Sequence, residues 1–556
     1  MSDLGDVSDD SDDCTHWGNI PSQPFRHHFS PPDPTLGVLS SFNTYSSAQK
    51  EKFASTAASI KEEQSKMDDV IDRTQAYLKY LLSEREKLSS ALDKQQSLLA
   101  PIRDLPDEIL CEVFLCLQSL WGCDFATNKP PLLLMYVCRR WRALATSIQA
   151  LWSHIYVDDC PPPIWLLDEF LTRSRGHPLT INMHCTQLHR MSRAPLHPTL
   201  TTLIKHIPRW RTIKFALASE FWKEIATLPP SVRTFPMLQS VNLSAIDDCS
   251  GDLWKIFENA PSLRDASVRC TPVRGTGTAV HFILPLSQLQ SYAMLRSSVG
   301  ECLCSFGQCP NLISCTVECI TLGDSSSIET HQRMGQLEFL AITVWNQSYF
   351  SFIFDFSSAP VLKDLRLFAG TIDNVMENVP ISVIPFLAKS SCNLEKLTLS
   401  GLTLAGGELI NILQHLPCLA ELVVAQHRKS LQSVAEPLFT EEVFHRLAST
   451  SLADGGAQDH PIIVPGLRSL WFTGQMDVSD RTLLSLMQSR LERRADEDID
   501  HPVARFKYVF LDIWRSIGDS PLGSHIENKV ALWREQGLEV EIQVEQLGVC
   551  PIKTLS

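Results

Sequence analysis

The sequence has no excess of basic residues, no long apolar run and no signal peptide. Its 49 lysines and arginines face 63 aspartates and glutamates, for a net charge of −14, so no basic surface is evident for nucleic-acid phosphates. The longest apolar stretches, such as LLLMYV at 132–137, fall far short of the ~20 residues that cross a bilayer. The composition therefore predicts a soluble protein that binds neither nucleic acid nor membrane.

Disulfide-framework spacing is also missing from the 17 cysteines of this 556-residue chain. Scattered cysteines in a chain of this length are typical of reduced, mostly buried thiols. The acidic start MSDLGDVSDDSDD lacks the basic-then-apolar pattern of a secretory signal. We therefore expect a cytoplasmic protein, a nuclear one, or one found in both compartments.

Motifs of the common active sites are absent: there is no G-x-S-x-G, no P-loop and no H-E-x-x-H. GTG at 275–277 lacks a third glycine and is interpreted as a turn, and HCTQLH at 184–189 is a poor ligand set. Five clustered cysteines fit no common closed zinc site: Cys302, Cys304, Cys309, Cys315 and Cys319. We expect no catalytic residue, metal or cofactor, and an enzyme is the least favoured alternative.

The N-terminal region divides into an acidic segment and a helix-forming segment. Residues 1–46 are rich in Asp, Pro and Ser, which predicts a disordered tail. Residues 47–100 contain no Gly or Pro, and with Ala57 as heptad position a, ten of fourteen a and d residues are apolar. These residues predict a coiled coil, within the chain or between two chains, which Pro101 ends. A single long helix packed on the chain's own body is the alternative.

A pattern L-x-x-L-x-L recurs about every 25 residues beyond residue 200. Its first residues are Leu238, Leu263, Leu289, Leu312, Leu337, Leu362, Leu394, Leu419 and Leu467, with weaker copies at Trp210 and Phe506. One short strand per unit at this period is the leucine-rich-repeat signature, in which each unit buries its apolar side against its neighbours. We therefore expect a repeat solenoid of the α/β class over 201–556, with 158–200 as a linker leading into it.

Several repeats carry a proline shortly before the first leucine. These prolines are Pro236, Pro261, Pro310, Pro360, Pro417 and Pro465. Because proline fixes φ and pushes the preceding residue out of helix, it predicts a tight turn into each strand.

A helical stretch, PIRDLPDEILCEVFLCL, opens region 101–157. Pro106 suits a first helical turn, and Asp107 and Glu108 complement the helix N-terminus. The apolar residues Ile109, Val113, Phe114 and Leu117 form one wide face. The run from Val137-Cys138 through Trp141 to Leu151-Trp152 predicts further helical packing.

In this order, these residues resemble the F-box, and more narrowly the F-box-like domains of mushroom-forming fungi (basidiomycetes), which combine a coiled coil, an F-box and leucine-rich repeats. The loop between Leu117 and Val137 is longer than in compact F-boxes. The resemblance implies a small all-α domain that docks on a Skp-family adaptor, and through it on a cullin–RING ubiquitin ligase, while the repeats hold a protein substrate for ubiquitin-dependent degradation. The implied adaptor-binding residues are Leu105, Pro106, Ile109, Leu110, Val113, Phe114, Val137, Cys138 and Trp141.

The F-box-like segment and the whole chain carry further expectations. We expect Ile109, Val113 and Leu117 to close a helical core, and Leu105, Pro106 and Leu110 to face the adaptor. The alternative function is a non-catalytic interaction scaffold whose F-box is vestigial or acts outside a ligase. Self-association through 47–100 is a further expectation.

Strand alternation predicts which repeat residues are open to a substrate. The fourth and sixth positions of each repeat point into the core, so the third, fifth and seventh face the concave surface. In the early repeats these positions are mostly small and polar, whereas the C-terminal repeats carry large aromatic residues there, and we predict Arg366, Phe368 and Trp471 as substrate contacts. The alternative is that a C-terminal cap, or the strand LEVEIQV at 538–544, covers the neighbouring Tyr508 and Phe510.

Overall fold

The chain is an α/β protein, seen here as a computed structural model. The structure describes residues 45–121, 125, 129–158, 161–184, 196–245, 255–269, 283–323, 331–370, 381, 383–426, 438–448, 463–491, 503–515 and 523–546. The predicted acidic tail lies outside them except for Tyr45 and Ser46, as does the GTG turn. Two compact units make up the chain, Met1–Pro106 and Asp107–Ser556.

Helices and strands alternate through most of the second unit. Within the described residues the helices are α1 (Ser47–Leu98), α2 (Asp107–Trp121), α3 (Leu132–Val137), α4 (Arg139–Ser147), α5 (Ile164–Ser174), α6 (Leu196–Ile204), α7 (Ser219–Ala226), α8 (Val299–Gln308), α9 (Tyr349–Asp355), α10 (Val383–Ser390), α11 (Gly406–Gln414), α12 (Glu441–Leu447), α13 (Asp480–Leu491) and α14 (Ser524–Glu535). The strands are β1 (His154–Val157), β2 (Leu179–His184), β3 (Trp210–Leu217), β4 (Ser240–Ala245), β5 (Asp265–Arg269), β6 (Ser291–Ser298), β7 (Ser314–Thr321), β8 (Gln332–Arg333), β9 (Phe339–Val344), β10 (Ser357–Ser358), β11 (Asp364–Ala369), β12 (Lys396–Ser400), β13 (Glu421–Ala425), β14 (Phe439–Thr440), β15 (Ser469–Asp477), β16 (Tyr508–Arg515) and β17 (Glu539–Gln546).

The first unit, where described, is dominated by the 52-residue helix α1. A capping box starts the helix: the Ser46 hydroxyl accepts the N–H of Gln49, and the Gln49 side chain accepts the N–H of Ser46. Arg103 closes its other end by donating to the carbonyl of Ser97 at 2.6 Å, just after the helix-ending Pro101. No residue of α1 is buried.

The second unit is built on one long parallel sheet. Its strands follow chain order from β1 to β7 and then through β9, β11, β12, β13, β15, β16 and β17. Short β14 adds to β15, and β8 and β10 pair separately. Because parallel neighbours need a crossover, the helices and turns between consecutive strands lie on the apolar side of the sheet and complete its core.

Tight turns lead into the strands where the prolines predicted them. Leu238 donates its N–H to the carbonyl of Phe235 at 3.3 Å, with Pro236 at the second position of the turn. The same bond recurs at the other proline turns, from Leu263 to Ala260, Leu312 to Cys309, Leu362 to Ala359, Leu419 to Leu416 and Leu467 to Val464. The turn prediction is confirmed at all six prolines.

The sheet begins earlier than the sequence indicated. β1 pairs with β2, and β2 pairs with β3, all in parallel. Residues 158–200 were expected to be a linker and the entry to the repeats; the linker part is wrong for the described residues, since β2 and α5 lie inside this range and belong to the sheet and its core.

Helices α2 to α4 pack into a small core at the start of the second unit. Leu110 and Phe114 are fully buried, and the Phe114 ring lies 4.9 Å from that of Trp141. Gln118 is buried too, and its amide donates to the carbonyl of Leu151 at 2.9 Å. The expectations that Leu110 faces outward and that Ile109 closes the core are both wrong, because the buried face of α2 runs through Leu110, Phe114 and Gln118 and leaves Ile109 exposed.

Among the described residues, no helix combines the length and apolarity that a membrane crossing needs.

Candidate functional site

One face of the long sheet carries side chains that helices do not cover. On most strands, half-exposed or exposed residues alternate with buried ones, as in β11, where Leu365 and Leu367 are buried and Arg366 between them is exposed. We call this side the open face. Its central row, aligned by the strand register, is Tyr156, Asn182, Lys214, Asn242, Ser267, Ala293, Thr316, Ala341, Arg366, Thr398, Val423, Trp471, Phe510 and Glu541.

The open face changes character along the sheet. From β2 to β7 it carries mostly small or polar residues, such as Asn242 and Thr316 in the central row and Ser291 beside it, with Leu295 and Ile320 as larger apolar exceptions. From β9 onward it carries Phe339, Phe368 and three aromatic residues near the end of the sheet. This second half offers apolar area and charge together.

An aromatic cluster, defined as Trp471, Tyr508 and Phe510, lies on β15 and β16. The Trp471 ring is 4.3 Å from that of Phe510 and 6.1 Å from that of Tyr508. Trp471 remains 39% exposed, and its indole N–H donates to the Thr473 hydroxyl at 3.3 Å. Neighbouring rings hold the indole in place while one side stays open, an arrangement suited to a binding anchor.

A charged group, defined as Asp364, Arg366, Lys396 and Glu421, lies on β11 to β13. The Arg366 guanidinium donates to both oxygens of Asp364, at 3.1 and 2.8 Å, and lies 5.0 Å above the Phe339 ring. Lys396 pairs with Glu421 at 2.7 Å. Fixed in this way, each cation still has donors to offer a ligand, since a guanidinium has five N–H groups and an ammonium three.

Local electrostatics favour the charged forms of both cations. Hydrogen bonding to Asp364 raises the pKa of Arg366, and hydrogen bonding to Glu421 raises the pKa of Lys396. Burial, followed by the carboxylates of Glu541 and Glu539, raises the pKa of Tyr508. At neutral pH the open face therefore presents two paired cations and a protonated phenol.

The three predicted substrate contacts lie on this half of the open face. Arg366 is exposed and Phe368, two residues along β11, is half-buried. Trp471 is three strands away, about 14 Å at ~4.8 Å per strand. Lys396 and Glu421 were missed, although they occupy the third position of successive repeats, where opposite charges signal a cross-strand pair.

The last strand extends the open face. β17 pairs in parallel with β16, so that Tyr508 faces Glu539 and Phe510 faces Glu541 in register. The expectation that residues 538–544 cover Tyr508 and Phe510 is wrong; the strand adds carboxylates beside them.

A second group of exposed apolar side chains lies on the helices before the sheet. Ile109 is 48% exposed and Val137 54%, and Tyr136 is exposed beside Val137. An ion pair at 2.6 Å between Asp107 and Arg140 ties the first turn of α2 to that of α4, two residues from Ile109 and three from Val137. We call Ile109, Tyr136 and Val137 the helical apolar patch.

The other predicted adaptor residues have varied surroundings. Pro106 is exposed, and Leu105 and Val113 are half-buried. Cys138 caps α4, its extended backbone letting the sulfur accept the N–H of Trp141 at 3.4 Å. The Val-Cys-x-x-Trp string is thus explained by helix capping and by the packing of Trp141 on the α2 core.

No family model matches the chain, and no curated protein matches it. A proposal for its function therefore has to start from the residues of the open face and of the helical apolar patch.

The clustered cysteines on α8 and β7 are mostly core residues. Cys302, Cys309, Cys315 and Cys319 are buried, whereas Cys304 is exposed. Burial raises the pKa of Cys309 to about 12 and raises that of Cys315 as well, so these thiols are protonated at neutral pH. Within the part of the chain that the structure describes, no group of three His, Cys, Asp or Glu residues is placed to hold a metal ion. HCTQLH lies outside the described residues apart from His184.

Proposed function

We propose that the protein is the substrate-recognition subunit of a cullin–RING ubiquitin ligase. In this proposal residues 101–157 form an F-box-like domain that docks on a Skp-family adaptor. The sheet is the strand layer of a leucine-rich-repeat-like solenoid, and its open face is the concave surface that holds a protein substrate. The protein has no active site of its own and contributes proximity between a substrate lysine and a ubiquitin-charged enzyme.

The observation that carries the docking part is the helical apolar patch. Ile109 on α2 and Val137 on α3 are large apolar side chains that stay exposed although these helices have a closed core beneath them. Exposed apolar residues grouped next to a packed core are typical of a protein interface. The resemblance of the surrounding residues to the F-box gives the partner.

The open face supports the substrate part. A strand about every 25 residues, proline turns into the strands and parallel pairing in chain order are what a leucine-rich-repeat solenoid requires. Aromatic side chains beside paired cations resemble the anchors of protein interfaces, where Trp, Tyr and Arg carry most of the binding energy.

A pull-down with a purified Skp-family adaptor tests the docking. We expect the full chain to bind, and Ile109→Asp with Val137→Asp to reduce binding at least tenfold by placing charge in an apolar contact. The pair Leu105→Ala and Pro106→Ala is expected to abolish it with the sheet still folded. Matched controls are Ile313→Asp and Val232→Asp, which make the same changes at exposed positions of the sheet unit.

The same experiment separates the ligase role from a scaffold role. A scaffold with a vestigial F-box would give no adaptor binding by the wild-type chain. Equal loss in the control variants would indicate unfolding, which circular dichroism of each variant detects.

A further inference from the structure

The long helix α1 keeps its heptad seam exposed along its whole length. The large apolar a and d residues are between 38% and 82% exposed, and they are Phe53, Ile60, Met67, Ile71, Leu78, Leu81, Leu88, Leu92 and Leu99. Isolated helices gain little stability from propensity alone, so a seam of this length calls for a partner helix. Four polar residues interrupt it: Gln64, Thr74, Arg85 and Gln95.

We propose that α1 pairs with α1 of a second copy of this chain, antiparallel, with Leu78 facing Leu81 of that copy. This inference does not depend on the proposed ligase role. It follows from the positions of the interruptions in the seam.

In an antiparallel pair each a residue faces a d residue, so choosing one layer fixes all the others. With Leu78 on Leu81, the apolar layers are Ile71 on Leu88, Met67 on Leu92 and Ile60 on Leu99. The polar layers are Gln64 on Gln95 and Thr74 on Arg85. Every polar interruption meets another polar residue, and no apolar residue faces a charge.

Shifting this antiparallel pairing by one heptad removes the match. Arg85 then faces Met67 or Leu81, and the glutamines face apolar residues, which leaves polar groups facing apolar ones. The polar residues thus select one register, as single polar seam residues do in other coiled coils.

A parallel, in-register pair is disfavoured by charge. It would place Arg85 against Arg85 of the second copy at position a. It would also bring Glu63 at position g beside Asp68 of the second copy at position e. In the antiparallel register the flanking pairs include Lys61 with Gln96, Asp68 with Ser89 and Tyr77 with Glu84, none of which repel.

The ion pairs within α1 lie away from this seam. Lys66 pairs with Glu62 and Glu63, and Lys87 pairs with Glu84, all within one helix. Both lysines lie at position c, away from the seam. In the antiparallel pair, the two copies of Leu98 would lie at opposite ends of the coiled coil, about 55 Å apart along the axis at 1.5 Å per residue.

Electron–electron distances between spin labels on the full chain test the orientation. The labels are attached to a keto amino acid, so that the native cysteines are not modified. Labels at Ser65 are expected about 45 Å apart along the axis, and labels at Ser83 about 10 Å apart along the axis. Ser83 is the matched control, since a parallel pair would hold both labels within about 25 Å. A short distance at Ser65, or no distance at either site because the chain is monomeric, would overturn the proposal.

A charge placed in one polar layer gives a second test, because it should change the dimer dissociation constant in opposite directions for antiparallel and parallel pairs. In the antiparallel pair, Thr74→Glu places a carboxylate opposite Arg85 of the second copy. In a parallel pair, it would place that carboxylate opposite the identical carboxylate at position 74 of the second copy. We expect a dimer dissociation constant about three- to tenfold lower than that of the uncharged variant Thr74→Gln, measured by sedimentation equilibrium. A higher constant would contradict the register.

Leu78→Asp, in the central layer, is expected to raise the dissociation constant at least a hundredfold, with Tyr80→Asp at an outward position as its control. Equal effects of these two substitutions would mean that the seam is not the contact.

Discussion

The two halves of the long sheet share a backbone but differ in where they place aromatic side chains. In the first half, Trp210, Phe215 and Trp222 are fully or almost fully buried, and the open face from β2 to β7 has none. In the second half, aromatic residues occur on both sides, and Trp471 remains exposed. The core of each half is closed without these open-face rings, so core packing does not account for them. We therefore propose that substrate recognition takes place on the second half.

Arg490 gives the largest expected effect within the second half. This side chain is 1% exposed and donates to the carbonyls of Leu447, Val464 and Pro465 at 2.9–3.4 Å. Arg490→Met should lower the free energy of unfolding of β15 and β16 by about 3 kcal/mol, because buried carbonyls lose charged donors. Amide hydrogen exchange of these strands measures it, with exposed Arg481→Met on the same helix as control. Unchanged exchange in β15 and β16 would refute the role.

Trp471 should give the next largest effect, on substrate capture. Trp471→Ala removes the exposed ring of the aromatic cluster and should weaken capture by about 2 kcal/mol, roughly thirtyfold. Thr316→Ala, in the same row of the first half, should leave capture unchanged. Quantitative mass spectrometry of captured proteins compares the two, and equal results would remove the distinction between the halves.

Arg366 should have a smaller effect of electrostatic origin. Arg366→Gln leaves Asp364 without its bidentate partner and should reduce capture about fivefold at low salt, and less at high salt. Lys214→Gln is the matched control, an exposed cation of the same row on β3. A loss that does not vary with salt would mean that charge is not the cause.

Tyr508 should respond least. Carboxylates beside a phenol disfavour the phenolate, so Glu541→Gln should lower the pKa of Tyr508 toward its ordinary value, burial keeping part of the shift. Glu527→Gln on α14 should not change it. Carbon-13 resonances of labelled tyrosine followed against pH measure this, and an upward shift would contradict the pairing of β16 and β17.

Much of the sheet was readable from the sequence because most strands obey one template. Leu at the first position and the proline turn predicted nine strands and the open-face row in its correct register. β1, β2 and β17 were not assigned as repeat strands, because their equivalent first positions hold Trp152, Pro178 and Gly537. Those three strands are recognised from their buried residues and their pairing with neighbouring strands, because they have no leucine at the first position.

The α2 face was misread because one of its buried residues is polar. Apolar periodicity favoured Ile109, Val113 and Leu117, whereas Gln118 completes the buried face by donating to a backbone carbonyl. A hydrogen bond over 33 residues cannot be seen in a local pattern. Within the charged group, Arg366 was predicted but Lys396 and Glu421 were not, since these two residues meet through strand register and their pairing shows only when successive repeats are aligned.

The most direct test of the proposed function is mass spectrometry of proteins that co-purify with the full chain while the proteasome is inhibited. We expect a Skp-family adaptor and a cullin in amounts close to that of the chain, together with ubiquitin-modified proteins. With Ile109→Asp and Val137→Asp, adaptor, cullin and ubiquitin-modified peptides should fall together while the captured proteins remain. A wild-type chain that recovers its partners without adaptor or cullin would contradict the ligase role and favour a scaffold.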